Sequence, residues 1–162
     1  MVMDATYPTC LDTADDATAC AFFWTGLALG ILHVDASKEW AYARIDARDA
    51  PAIEIIEIAT ARDRNAALDA LQAATGDADW QTAGRWLLRE LLVQFRSGGL
   101  SAHETSWTAM RVASTARLPM EVYYAFDGLD DERVLVANGI FGTAAGFEAD
   151  LVETLERYSS AA

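Results

Sequence analysis

The sequence predicts an all-α fold of antiparallel helical hairpins, stacked as a compact bundle or a short solenoid-like array. Three observations carry that expectation. Apolar residues recur at helical spacing, most clearly at Trp80, Gly84, Leu87, Leu88, Leu91, Leu92 and Phe95. Helix punctuation recurs with them, Asp or Ser standing before the apolar runs and Gly after them. Proline occurs only three times in 162 residues, while Ala and Leu, strong helix formers, appear throughout. The length suits one helical domain spanning residues 1–162, and no fixed-period repeat is visible.

The first helix is expected to begin after Asp12 or Thr13 and to end at Gly30. Asp15 and Asp16 fall in its first turn, where the dipole favours negative charge. Phe22, Phe23, Trp24, Leu27, Leu29, Ile31 and Leu32 make its later part apolar nearly all round, which predicts central burial. Residues 17–34 lack Asp, Glu, Lys and Arg, but Ala, Thr, Gly and His33 dilute the stretch. No basic residue precedes it and its flanks are acidic, so a core helix in a cytoplasmic protein is expected rather than a signal or a span.

Asp35 is read as the cap of a second helix through Trp40, Ala41, Ala43 and Ile45, and Pro51 as part of the first turn of a third. In that third helix Ile53, Ile55, Ile56 and Ile58 are expected to form the core face, with Glu54 and Glu57 on the opposite edge. The run is also compatible with a buried strand, although its spacing fits a helix better. Asp63 opens a fourth helix closed by Gly76, and Asp77 or Asp79 opens a fifth that ends at Gly98–Gly99. Ser101 and Glu104 have the spacing of a capping box for the next, which carries Trp107, Met110 and Val112. Leu118–Pro119 breaks the chain before a short helix around Met120–Phe126, and Asp127–Gly128 signals a turn. Residues 130–138 are either helical or extended, Gly139 and Gly142 form a break, and a last helix spans about 144–158.

Charge is the most unusual global property. The net charge of −13 is uneven: residues 1–39 carry −5, residues 40–119 carry −1 and residues 120–162 carry −7. A phosphate backbone or an anionic membrane requires clustered Lys and Arg, so neither nucleic acid nor membrane is an expected partner. A basic protein partner would be attracted by such a field. Cys10 and Cys20 are too few and too far from any His for a disulfide framework or a metal site, and two reduced thiols are expected.

The residues also argue against catalysis, and no enzyme activity, cofactor or metal is expected. His33 and His103 are the only histidine bases, one at a helix end and one in a first turn beside Glu104. Glu54 and Glu57 lack the Glu-x-x-His motif of di-metal bundles. Asp127, Asp130, Asp131 and Glu132 lack the alternating calcium-loop pattern. No glycine stands in a phosphate-binding loop. Core packing explains most of the five tryptophans, with Trp80, Trp86 and Trp107 the ones placed to reach an edge.

Four stretches and Ala41 carry a family resemblance: Trp24 to Leu32, Pro51 to Ala59, Trp86 to Leu92 and Pro119 to Tyr123. On these the chain resembles a small bacterial family of uncharacterised all-helical acidic proteins found beside toxin systems. The resemblance covers about residues 23–125 and implies an immunity-like role, without catalytic residues to carry over. Tyr and Trp are common interface anchors, and Tyr123 and Tyr124 directly precede the acidic run. The expected partner-binding face is therefore Tyr123, Tyr124, Asp127, Asp130, Asp131 and Glu132, directed at a basic protein. A self-associating helical scaffold is the alternative.

Overall fold

The computed structural model describes residues 6–160 and is helical throughout, with eight α-helices and no strand among them. These residues group into two compact units that divide between Ala83 and Gly84. The expected single domain of residues 1–162 reaches into residues 1–5 and 161–162, which lie outside the described residues.

The first unit contains a short 3-10 turn, Thr9–Asp12, followed by α1 (Asp16–Ala28), α2 (Val34–Asp46), α3 (Ile53–Ala59) and α4 (Arg64–Ala73). Asp15 caps α1, its carboxylate accepting from the Thr18 N–H at 2.8 Å and from the Thr18 hydroxyl at 2.9 Å. That hydroxyl in turn accepts from the Asp79 N–H at 3.0 Å, so one small side chain ties two helix starts together. Ala19 to Phe23, Thr25, Gly26 and Leu27 are all buried, as an apolar helix without a polar face requires. Phe23 packs edge-on against Phe22 and Tyr7 and tilts over Trp40 from α2. Gly30 closes α1 at φ +74°, and the Ile31 N–H donates back to the Gly26 carbonyl at 2.8 Å. The helix thus stops short of Ile31 and Leu32, which sequence periodicity includes in it.

Three local expectations in this unit are corrected. The cap of α2 is His33 rather than Asp35: the His33 Nδ1 accepts from the Asp35 N–H at 3.2 Å, leaving Asp35 in the first turn. His33 therefore serves the start of the next helix, not the end of the last one. Of the four isoleucines in α3 only Ile55 and Ile58 are buried, while Ile53 is 66% exposed and Ile56 is exposed as well. A seven-residue helix has room for one i, i+3 apolar line, and four isoleucines cannot share it. Pro51 lies before the α3 cap, Ala52, rather than inside the first turn.

Cys20 is fully buried on α1, and burial pushes its thiol up to about 12, so it stays protonated and unreactive at neutral pH. Among the described residues neither Cys10 nor Cys20 forms a disulfide.

α5 (Trp80–Arg96) begins in the first unit and continues in the second. Asp79 caps it, accepting from the Thr82 N–H at 3.0 Å, and Trp80 meets Trp24 edge-on at 6.0 Å. Beyond Ala83 lies the second unit, with the rest of α5, α6 (Ala102–Thr115), α7 (Met120–Ala137) and α8 (Ala144–Ser159). Leu87, Leu88, Leu91 and Leu92 are buried as their spacing predicts. Also buried in this unit are residues of α6, α7 and α8, among them Ala109, Val112, Phe126, Leu129, Leu151 and Leu155. Each fully buried Leu or Phe in such a core contributes about 1.5–3 kcal/mol. The capping box predicted at Ser101 and Glu104 forms in both directions.

The largest departure from expectation is α7. It is a single helix of 18 residues, running straight through Asp127–Gly128, where the dipeptide signals a turn. Val122, Phe126 and Leu129 are spaced four and three apart and are all buried. Burying Phe126 and Leu129 along one line is worth several kcal/mol. That outweighs the roughly 1 kcal/mol cost of a glycine inside a helix.

Candidate binding surface

With α7 continuous, the six residues of the expected acidic-aromatic face are held in one rigid frame, and that frame sorts them. A helix advances about 100° per residue. The buried line through Val122, Phe126 and Leu129 therefore leaves an outward strip of Met120, Tyr124, Asp127, Asp131 and Leu135. Met120 is 61% and Tyr124 60% exposed. Tyr123 lies at the edge of this strip, half-buried, with its ring edge-on to Tyr124 at 5.6 Å.

The other two acids turn away. Asp130 accepts from the Arg133 guanidinium at 3.1 Å and lies 3.8 Å from the His103 ring of α6. Glu132 faces the opposite flank, towards Asp150 of α8. Burial, then a hydrogen bond with Asp150 and that residue's negative charge, raise the Glu132 pKa. Tyr123, Tyr124, Asp127 and Asp131 thus stay together, whereas Asp130 and Glu132 serve the contacts of α7 with its neighbours.

Glu132 gives a pH-dependent prediction. Its folded-state pKa is raised, so the folded chain binds a proton there more readily than the unfolded chain does. The stability from this group is fully present below its unfolded pKa and is lost as pH rises through the folded one. Glu132→Gln should therefore raise the thermal midpoint at pH 7, with an advantage that shrinks as pH falls through the raised folded-state value and is gone below about pH 4.5, the ordinary glutamate value. Thermal unfolding followed by circular dichroism across pH 4–8 checks this; a constant difference between the two proteins would refute it.

Sequence reasoning missed the groove beside the strip. Where α6 turns into α7, a cavity of about 330 Å³ is lined by Ala113, Ser114, Arg117, Leu118, Met120 and Tyr123. Two backbone bonds close the end of α6, from the Leu118 N–H to the Ala113 carbonyl at 3.0 Å and from the Arg117 N–H to the Ser114 carbonyl at 3.3 Å. Arg117 occupies the left-handed position of this cap at φ +52°, where glycine is the usual residue. Trp107 is 51% exposed on α6. It was legible as an edge tryptophan. Leu118–Pro119 was legible as a break, but no spacing rule shows that the break leaves a groove.

The first unit offers a shallower hollow whose lining includes Asp16 and Glu54. Asp16 is already bound by Arg48 at 2.6 Å and approached by Arg44 at 3.3 Å, so the two carboxylates do not act as a pair. Among the described residues no group of three or more His, Cys, Asp or Glu is placed to hold a metal ion. No helix among them is long and apolar enough to cross a membrane.

No protein-family model, curated protein or solved structure matches this chain.

Proposed function

We propose that this chain is a non-catalytic binding protein that occludes a basic protein partner with the outward strip of α7, in the manner of a toxin-neutralising immunity protein. The observation that carries this reading is the outward line of Met120, Tyr124, Asp131 and Leu135, all exposed, with the half-buried Asp127 among them, on one uninterrupted helix. Exposed aromatic and apolar side chains supply contact area, and the carboxylates between them supply selection by charge. The net charge of −7 over residues 120–162 adds long-range attraction for a cationic surface. The immunity-like form of that role is what the resemblance read from the sequence implies.

The test compares the natural protein with an Asp127→Lys, Asp131→Lys double variant as baits in lysate of the source organism, at about 0.05 and 0.5 M salt. A basic protein retained by the natural bait, weakened at high salt and lost by the double variant supports the reading. Glu132→Lys, pointing towards α8, should weaken capture less. Equal retention by the natural and double-variant baits would remove α7 from the interface. Recovery of the bait alone, with light scattering showing a stable homo-oligomer, would favour the self-associating scaffold instead.

A further inference from the structure

The α6–α7 groove and the acidic strip are continuous. Leu118 and Ala113 are buried, Met120 and Tyr123 stand at the sides, and Ser114 lies exposed at the rim. A volume of about 330 Å³ is at the small end for a cofactor site but ample for one large apolar side chain. From Tyr123, Asp127 and Asp131 follow one and two turns along α7, about 6 and 12 Å away at 1.5 Å per residue. Arg117 marks the other end of the groove. The surface therefore runs from a positive side chain, across an apolar hollow, to two negative ones.

We propose that this surface seats a basic amphipathic helix of the partner protein, lying antiparallel to α7 with one apolar side chain in the groove. This rests on the binding reading above and adds the shape of the partner. Its Lys or Arg residues stand about four and eight positions before the anchor, opposite Asp127 and Asp131. The direction follows from helix polarity. The partner's C-terminal end, with its partial negative charge, meets Arg117, and its N-terminal end meets the acids. Charge complementarity selects this occupant over an acidic helix or a second copy of this chain, which would bring the same carboxylates to the same strip.

The probe is a fluorescein-labelled synthetic helix of about 16 residues, with one Phe anchor near its C-terminus and Lys four and eight positions before it. Binding is followed by fluorescence anisotropy. Saturable binding is expected, weakened at least tenfold when Phe is replaced by Ser in the peptide. Ser114→Trp, which fills the groove from an exposed position, should weaken it similarly while leaving the circular dichroism spectrum unchanged. A free C-terminal carboxylate should bind more tightly than the amide, because it adds charge beside Arg117. Unchanged binding after both the Phe and Ser114 changes would overturn the groove, even if Asp127→Lys, Asp131→Lys still abolished binding and left the charge reading standing. Equal binding of a Glu-for-Lys peptide would overturn the basic partner while leaving the groove. No preference for the carboxylate would overturn the direction.

Discussion

Replacing Arg44 with alanine is expected to destabilise the first unit by roughly 3 kcal/mol or more, the range for stripping charged hydrogen bonds from a partly buried site. From α2, the Arg44 guanidinium donates to the Asp12 carbonyl at 2.7 Å, the Leu11 carbonyl at 2.9 Å and the Ala14 carbonyl at 2.5 Å. Its Nε lies 3.3 Å from the Asp16 carboxylate, and its carbon centre lies 5.5 Å from the Trp40 ring centroid. One planar fork therefore gathers the carbonyls at the end of the 3-10 turn and holds that segment against α2. Lysine carries one compact ammonium and cannot reach the same set, so Arg44→Lys should recover less than half of the loss. Arg44→Met, which keeps the stem, separates packing from polar anchoring. Urea unfolding with an unchanged slope supplies the measurement. An alanine variant within about 0.5 kcal/mol of the parent, the range of ordinary surface changes, would show that water replaces the fork at little cost.

Arg44 also marks where sequence reading stops. Caps act over three residues, so Asp63, Asp79 and the Ser101–Glu104 box were legible and stand at helix starts in the structure, whereas Asp15, expected inside the first turn of a helix beginning after Asp12 or Thr13, is itself the cap of α1. The main apolar lines were legible as well, because burial repeats with the helix period. Nothing in spacing joins position 44 to positions 11–14, and that contact exists only once α2 packs beside the chain start. The same limit explains the errors. Asp127–Gly128 has turn chemistry, but the Val122–Phe126–Leu129 line is decided by the core beneath it. Ile53 and Ile56 are apolar enough for a core, yet α3 presents only one face to its neighbours. Of the expected binding face, the types of residue were readable but their directions were not. Asp130 and Glu132 looked equivalent to Asp127 and Asp131 until α6 and α8 took their places on either flank.

Gly84→Ala tests the packing that supports the groove, and its sign is informative. By propensity alone, alanine inside a helix should stabilise by about 1 kcal/mol. In the folded second unit, a methyl on Gly84 would lie 2.7 Å from the Ala116 Cβ and 3.1 Å from the Leu118 Cδ2. The Ala116 Cβ is fixed to its backbone and cannot rotate away, so α5 and the end of α6 must move apart. We expect a net destabilisation of about 1–3 kcal/mol, the usual cost of overpacking. Adding Ala116→Gly should return most of it, and the double-mutant cycle then reports a direct contact. Leu118 lines the groove, so the same displacement should weaken binding of the basic helical peptide even though position 84 does not line it. A stabilised Gly84→Ala would mean that propensity outweighs the crossing and that the corner between α6 and α7 yields freely. An anchor site on that corner would then have to be shaped by the ligand rather than by the fold.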